Sequence, residues 1–233
     1  MLSMKVVIII IALVQSASSV CTYPSPTVAT CSNLSIKNLP ILLEANVTAL
    51  DASHNEIKII PSNAFPPNLV QIDLRGNRIK IIDEFAFQEL QDLEILNLEY
   101  NKLQYINPWT FTHNHKLTVL YLGKNDISLL NHRTFLKLPI QHIELYLNAC
   151  SVVEFDSKTF EKVPNLELLN LSQNRVSKVS DNAFIHTQKL VSIDLSHNRI
   201  KTFDKQALFN LSYLVSLKLQ NNELESIDIG LFE

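Results

Sequence analysis

His142, Glu144 and Tyr146 alternate along the chain, so a β-strand through them would project all three side chains from one face. A histidine beside a carboxylate is the arrangement of a general-base pair, or of a pH-sensitive contact. No nucleophile accompanies the pair, and an open strand face does not exclude water, so an ordinary surface histidine is the simpler reading. His113 and His115 are also two residues apart. No cysteine or carboxylate stands near them at metal-site spacing, and they read as solvated side chains rather than a zinc site. The chain has only three glycines, Gly76, Gly123 and Gly230, and no phosphate-cradling loop. The sequence therefore assigns no catalytic residue, no cofactor and no metal, and it points away from an enzyme.

A repeat positions those strand residues. Asn55, Asn77, Asn101, Asn125, Asn148, Asn174, Asn198 and Asn222 recur at spacings of 22, 24, 24, 23, 26, 24 and 24 residues. The clearest copies run from Leu93 through Leu96, Leu98 and Asn101 to Leu103, and from Leu190 through Ile193, Leu195 and Asn198 to Ile200. A period near 24 in the frame L-x-x-L-x-L-x-x-N-x-L is the signature of a leucine-rich repeat. The expected fold is an α/β solenoid: a right-handed superhelix, or horseshoe, with a parallel concave β-sheet and an irregular convex side. In each unit the fourth and sixth residues of the frame face inward, and the third, fifth and seventh face outward.

Each asparagine is expected to pair backbone groups in the turn after its strand, because its amide offers both donor and acceptor. The eight form a structural ladder and are assigned no ligand. Cys150 reads as a small buried hydrophobe at the last apolar position of repeat five. Phe65, Phe87, Phe111, Phe135, Phe160, Phe184 and Phe232 recur near the ends of the units, with Leu208 filling the slot in unit seven. Seven of the eleven phenylalanines in one column argue for a second apolar layer on the convex side. Repeat five reads as carrying two extra residues around Val152 to Phe155, predicting a local bulge.

The concave positions follow from the same frame. Repeats three to six present Ile95, Val119, Tyr121, His142, Glu144, Tyr146 and Leu168, with Tyr100 and Leu147 flanking them at the eighth position. Acidic residues (Asp51, Asp73, Glu99, Glu144 and Asp194) surround this centre. Exposed aromatic and aliphatic residues with a polar rim have the composition of a protein-binding patch. The competing reading is that scattered exposed apolar residues are ordinary on any surface.

Residues 1–20 have the layout of a secretory signal peptide: Lys5, the apolar run Val6 to Val14, then small residues before a cut near Val20 or Cys21. That apolar run is too short to span a bilayer, so no membrane span is expected. Residues 21–46 are expected to form a cysteine-containing N-terminal cap, and 47–233 are read as eight repeats, the last incomplete and without a C-terminal cap. Some partner, or a missing C-terminal segment, is then expected to cover the exposed end of the solenoid. In an oxidising compartment Cys21 and Cys31 should be bridged, contributing about 3 kcal/mol. N-x-S/T acceptors for glycans occur at Asn33, Asn46, Asn170 and Asn210. Without Lys5, 19 basic residues face 23 acidic ones, a balance that argues against a nucleic-acid partner.

These features resemble extracellular leucine-rich repeat proteins of the typical 24-residue class. Similar arrays occur in Toll-like receptor, Slit-type and chaoptin-like ectodomains and in secreted leucine-rich immune proteins. The resemblance implies a secreted or cell-surface recognition module that binds protein or glycan partners through its concave face, with innate immunity as one setting. A cell-adhesion, matrix or guidance protein using the array as a scaffold is the alternative. The chain departs from those families in having two cysteines in the cap rather than four.

Overall fold

The computed structural model describes residues 21–39, 41–136, 138 and 143–226. The segment 1–20, His142 and Phe232 lie outside them. The chain opens with a hairpin of β1 (Thr22–Ser25) and β2 (Val28–Thr30). Cys21 and Cys31, at its two ends, are joined by a disulfide. Each following unit adds a short strand to one side of the solenoid. These concave strands are β3 (Ala49–Asp51), β5 (Gln71–Asp73), β7 (Ile95–Asn97), β8 (Val119–Tyr121), β9 (Ile143–Tyr146), β10 (Leu166–Asn170), β12 (Ser192–Asp194) and β14 (Ser216–Lys218). From β2 onward they pair in parallel, in chain order, into one sheet. Two small parallel pairs stand apart from that sheet: β4 (Ile59–Ile60) with β6 (Ile81–Ile82), and β11 (Lys178–Val179) with β13 (Thr202–Phe203). Turns build the convex side, and no helix occurs among the described residues.

Two apolar layers hold the units together. Leu50, Ile72, Leu96, Leu120, Leu145, Leu169 and Ile193 form one fully buried row behind the sheet. On the convex side Phe65, Phe87 and Phe111 stack at centroid distances of 5.9 and 5.8 Å. Phe135, Phe160 and Phe184 continue the column at 6.0 and 6.5 Å, with Phe155 wedged against the last two. Rings that bury this much area in register supply much of the transfer free energy of a solenoid core.

Between the layers the chain must turn out of the sheet with its polar groups buried, and asparagine amides supply the partners. Asn125 is typical: its Nδ2 donates to the carbonyls of Leu122 in its own turn and Leu98 in the unit before, at 2.8 and 2.9 Å. Its Oδ1 accepts from Leu103 N. Asn55, Asn77, Asn101, Asn174, Asn198 and Asn222 make corresponding bonds. The residue before each ladder position turns through the left-handed region: His54, Gly76, Tyr100, Lys124, Ala149 (before Cys150), Gln173, His197 and Asn221 all have φ between 53° and 68°. Only Gly76 does so without the steric cost of a Cβ. A Cβ there would also lie 2.6 Å from the His54 ring.

Repeat five corrects the sequence reading. Leu145 pairs with Leu120 and Tyr146 with Tyr121, which moves the frame two residues toward the C-terminus. Cys150, rather than Asn148, holds the ladder position. Its thiol donates to Leu122 O at 3.2 Å, and Asn174 Oδ1 accepts from Cys150 N and Val152 N. Burial pushes that thiol's pKa up to about 11, so it stays protonated and able to donate. Leu147 is fully buried in the second core row instead of flanking the concave patch. The extra chain length lies before Ile143, not at Val152 to Phe155. Phe135 precedes Ile143 by eight residues, whereas Phe111 precedes Leu117 by six. A register shift between Leu166 and Leu168, where β10 meets β9, absorbs the remainder.

The ladder and the displaced asparagine predict opposite outcomes for the same substitution. Asn125→Ala orphans buried carbonyls in two units and is expected to cost about 1–3 kcal/mol in chemical denaturation. Asn148→Ala, on the half-buried concave side, should change stability by less than about 0.5 kcal/mol.

Candidate recognition site on the concave face

The parallel register fixes which side chains stand side by side. Ala49, Gln71, Ile95, Val119, Glu144, Leu168, Ser192 and Ser216 occupy one outward column of the sheet. Asp51, Asp73, Asn97, Tyr121, Tyr146, Asn170, Asp194 and Lys218 occupy the next. Glu144 is therefore a third-position residue and Tyr146 a fifth-position one, each one column from where spacing alone put it. Asn148 takes the seventh position of repeat five.

The second column carries a local rule. Where it holds aspartate or asparagine, the side-chain oxygen accepts from the backbone N–H two residues on. Asp51 binds Ser53 N, Asp73 binds Arg75 N, Asn97 binds Glu99 N, Asn170 binds Ser172 N and Asp194 binds Ser196 N, at 2.9 to 3.0 Å. Such Asx turns close the strand ends locally. Units four and five forgo them for Tyr121 and Tyr146, whose rings stack with centroids 4.5 Å apart. The Tyr146 hydroxyl donates to Glu144 Oε2 at 2.9 Å. Burial, then that hydrogen bond, drives the Tyr146 pKa well above the ordinary phenol value. Both rings, with Ile95, Val119 and Leu168, are half-buried, so the apolar centre faces solvent as one patch.

The rim is polar and under electrostatic tension. Arg75 pairs with Asp73 at 3.2 Å, yet burial still leaves the Asp73 carboxyl pKa raised. Glu99 is raised chiefly by burial too, with Arg75 and Lys124 only partly opposing it. Ala49, Gln71, Asp73, Ile95, Asn97 and Tyr121 line a shallow depression on the N-terminal side of the tyrosines. On the other side Lys124 Nζ reaches over the small Ala149 to Gln173 Oε1 at 3.0 Å. Gly123 makes room for the neighbouring amide, since a Cβ there would meet Asn148 Oδ1 at 2.5 Å.

The other residues singled out by sequence lie apart. Exposed His113 and His115 flank Asn114, which is buried and donates to the Phe87 and Leu90 carbonyls. Among the described residues no group of three His, Cys, Asp or Glu side chains gathers as a metal site. Asn33, Asn46 and Asn210 are exposed outside the concave strands, whereas Asn170 stands in the sheet beside Tyr146. No helix among the described residues is long and apolar enough to cross a membrane.

A half-buried carboxylate with a raised pKa opposes folding at any pH where it is charged in both states. Glu99→Gln is therefore expected to raise the thermal midpoint at pH 7. The gain should disappear at a pH low enough to protonate the glutamate in the folded and unfolded chains alike. Midpoints of the two proteins across a pH series check this.

Comparison with known proteins agrees with the geometry. The leucine rich repeat family model matches residues 67–127, 143–200 and 188–233. A solved complex of TLR13 with ssRNA13 aligns at 30% identity and a TM-score of 0.75, over 80% of this chain but 26% of that one. The chain thus spans about a quarter of that receptor structure. Human 5T4 (Wnt-activated inhibitory factor 1, trophoblast glycoprotein) aligns at 22% identity and a TM-score of 0.73, over 87% of this chain and 80% of that one. No curated protein matches by sequence. With the repeat model matching well over half of its length, the chain belongs to the leucine-rich repeat family.

Proposed function

We propose that the chain is a non-catalytic extracellular recognition module that binds a protein partner on the concave face of repeats three to six. The observation that carries this reading is the replacement of two consecutive Asx turns by the stacked Tyr121 and Tyr146. The fold gives up two local hydrogen bonds and gains two amphipathic rings in an apolar patch facing solvent. Tyrosines so placed concentrate binding energy at low entropic cost. A disulfide-closed cap suits an oxidising, extracellular setting. The likeness to TLR13 favours an innate-immune role over adhesion or guidance. In this reading Asn33, Asn46 and Asn210 carry glycans away from the patch, and a glycan on Asn170 would border it at Tyr146.

The test compares the secreted protein with a Tyr121→Ala/Tyr146→Ala variant of matched denaturation midpoint. Extracellular fluid is passed over both in immobilised form, and the retained proteins are identified and then titrated singly. The expected result is a protein ligand whose affinity falls by about 2 kcal/mol or more, roughly thirtyfold, in the variant. Equal retention by both proteins refutes the patch. Because TLR13 was solved with an RNA, single-stranded RNA is titrated in parallel. Binding of RNA that the double substitution abolishes would replace the protein-partner reading.

A further inference from the structure

A second apolar surface runs along the outside of units one to four, away from the concave patch. Four residues after Asn55, Asn77, Asn101 and Asn125 stand Ile59, Ile81, Tyr105 and Leu129, exposed by 49, 50, 65 and 61%. Those fractions are too high for packing residues. The core does not ask for apolar side chains there, because the equivalent positions of units five, six and seven hold Glu154, Lys178 and Thr202. Packing falls instead to the next residue: Ile60, Ile106 and Leu130 are buried, and Ile82 is half-buried against the core. Ile59 and Ile81 are direct partners in the β4–β6 pair, so they project together, with backbones about 4.8 Å apart. Isolated exposed apolar residues are ordinary, but four at one frame position of successive units form a row along one side of the array.

Charge identifies what the stripe would accept. Lys58 and Lys80 immediately precede Ile59 and Ile81 and are exposed. Leu39, Lys58, Ile59 and Pro61 line a groove with Lys37 and Glu56 where the cap meets the first unit. Lys37, Lys58 and Lys80 form no ion pair among the described residues. Two nearby acids are engaged: Glu56 pairs with Arg78, and Asp83 accepts from Ser62 and Phe85 N. We propose that this stripe docks a short, extended acidic segment of a partner protein. Its apolar side chains lie on Ile59, Ile81, Tyr105 and Leu129, and its carboxylates pair with Lys37, Lys58 and Lys80. Spanning four units in extended form takes about five residues. This surface is independent of the tyrosine patch.

The probe is a short labelled peptide alternating leucine and glutamate, titrated at neutral pH against the whole protein. Two variants test the site: Ile81→Ser with Tyr105→Ser, and Lys58→Glu with Lys80→Glu. Neither touches a buried side chain. Each is expected to weaken peptide binding at least about tenfold, while Tyr121→Ala/Tyr146→Ala leaves it unchanged. A peptide alternating leucine and lysine should bind at least about tenfold more weakly than the acidic one. Unchanged affinity in either stripe variant overturns the proposal, and so does equal binding of the basic peptide. Two further results would give the stripe a different occupant and also overturn it. One is adsorption to vesicles of phosphatidylserine and phosphatidylcholine that the stripe variants abolish. The other is self-association, seen in sedimentation, that they abolish.

Discussion

A solenoid has no centre, so each unit must satisfy its buried backbone with its immediate neighbours or leave it unsatisfied. In this chain a side-chain amide at the turn out of the strand meets that demand in every described unit but the fifth, where the Cys150 thiol stands in. Asn101 binds Leu98 O in its own turn, Leu74 O in the unit before, and accepts from Ile79 N. Each amide thus staples two consecutive turns at donor and acceptor together, and the left-handed residue before it delivers it to that place. Everything else is built on that spacing. The phenylalanine rings stack because the turns beneath them are held at a fixed interval, and the outward columns of the sheet align for the same reason.

That constraint explains what was legible in the sequence and what was not. Seven ladder asparagines, the inward leucines and the ring column recur with little variation, because a periodic core tolerates little. Repeat five is the exception, because asparagine there stands two residues from a cysteine able to take its role. A thiol reproduces the donor of the amide, at 3.2 Å to Leu122 O, but has no carbonyl oxygen to accept in return. The signal was present as spacing. Placing the ladder at Asn148 gives intervals of 23 and 26, whereas Cys150 gives 25 and 24. Motif identity without period therefore displaces the outward residues Glu144 and Tyr146 by one column.

The shift matters because surface meaning in a repeat protein lies in departures from the rule, and these can be seen only in the right register. With Tyr146 placed beside Tyr121, two adjacent units are seen to abandon the Asx turn that five others keep. A single tyrosine at an outward position would be an ordinary substitution. Two in contact, one bonded to Glu144 and both bordered by Ile95, Val119 and Leu168, amount to a continuous surface. The same logic distinguishes the outer stripe, where units one to four are apolar and units five to seven are polar at one equivalent position.

Stability and recognition are thereby separated by position within the unit rather than by region of the chain. Inward residues and ladder amides serve the stack, and they change only where another group supplies the same bond, as Cys150 does. Outward residues are free of that demand, so desolvated carboxylates such as Asp73 and Glu99 persist there although burial opposes their charge. A group held at such cost on an open face gains from a partner that supplies opposite charge, because the desolvation is already incurred before binding. On the proposed concave site, Asp73 and Glu99 would be better served by a partner with basic side chains than by an acidic one, although Arg75 and Lys124 already offset part of their charge. The proposed outer stripe, whose lysines form no ion pair among the described residues, would favour the opposite sign. Two surfaces of opposite preference on one rigid array would let the protein hold two different partners at once.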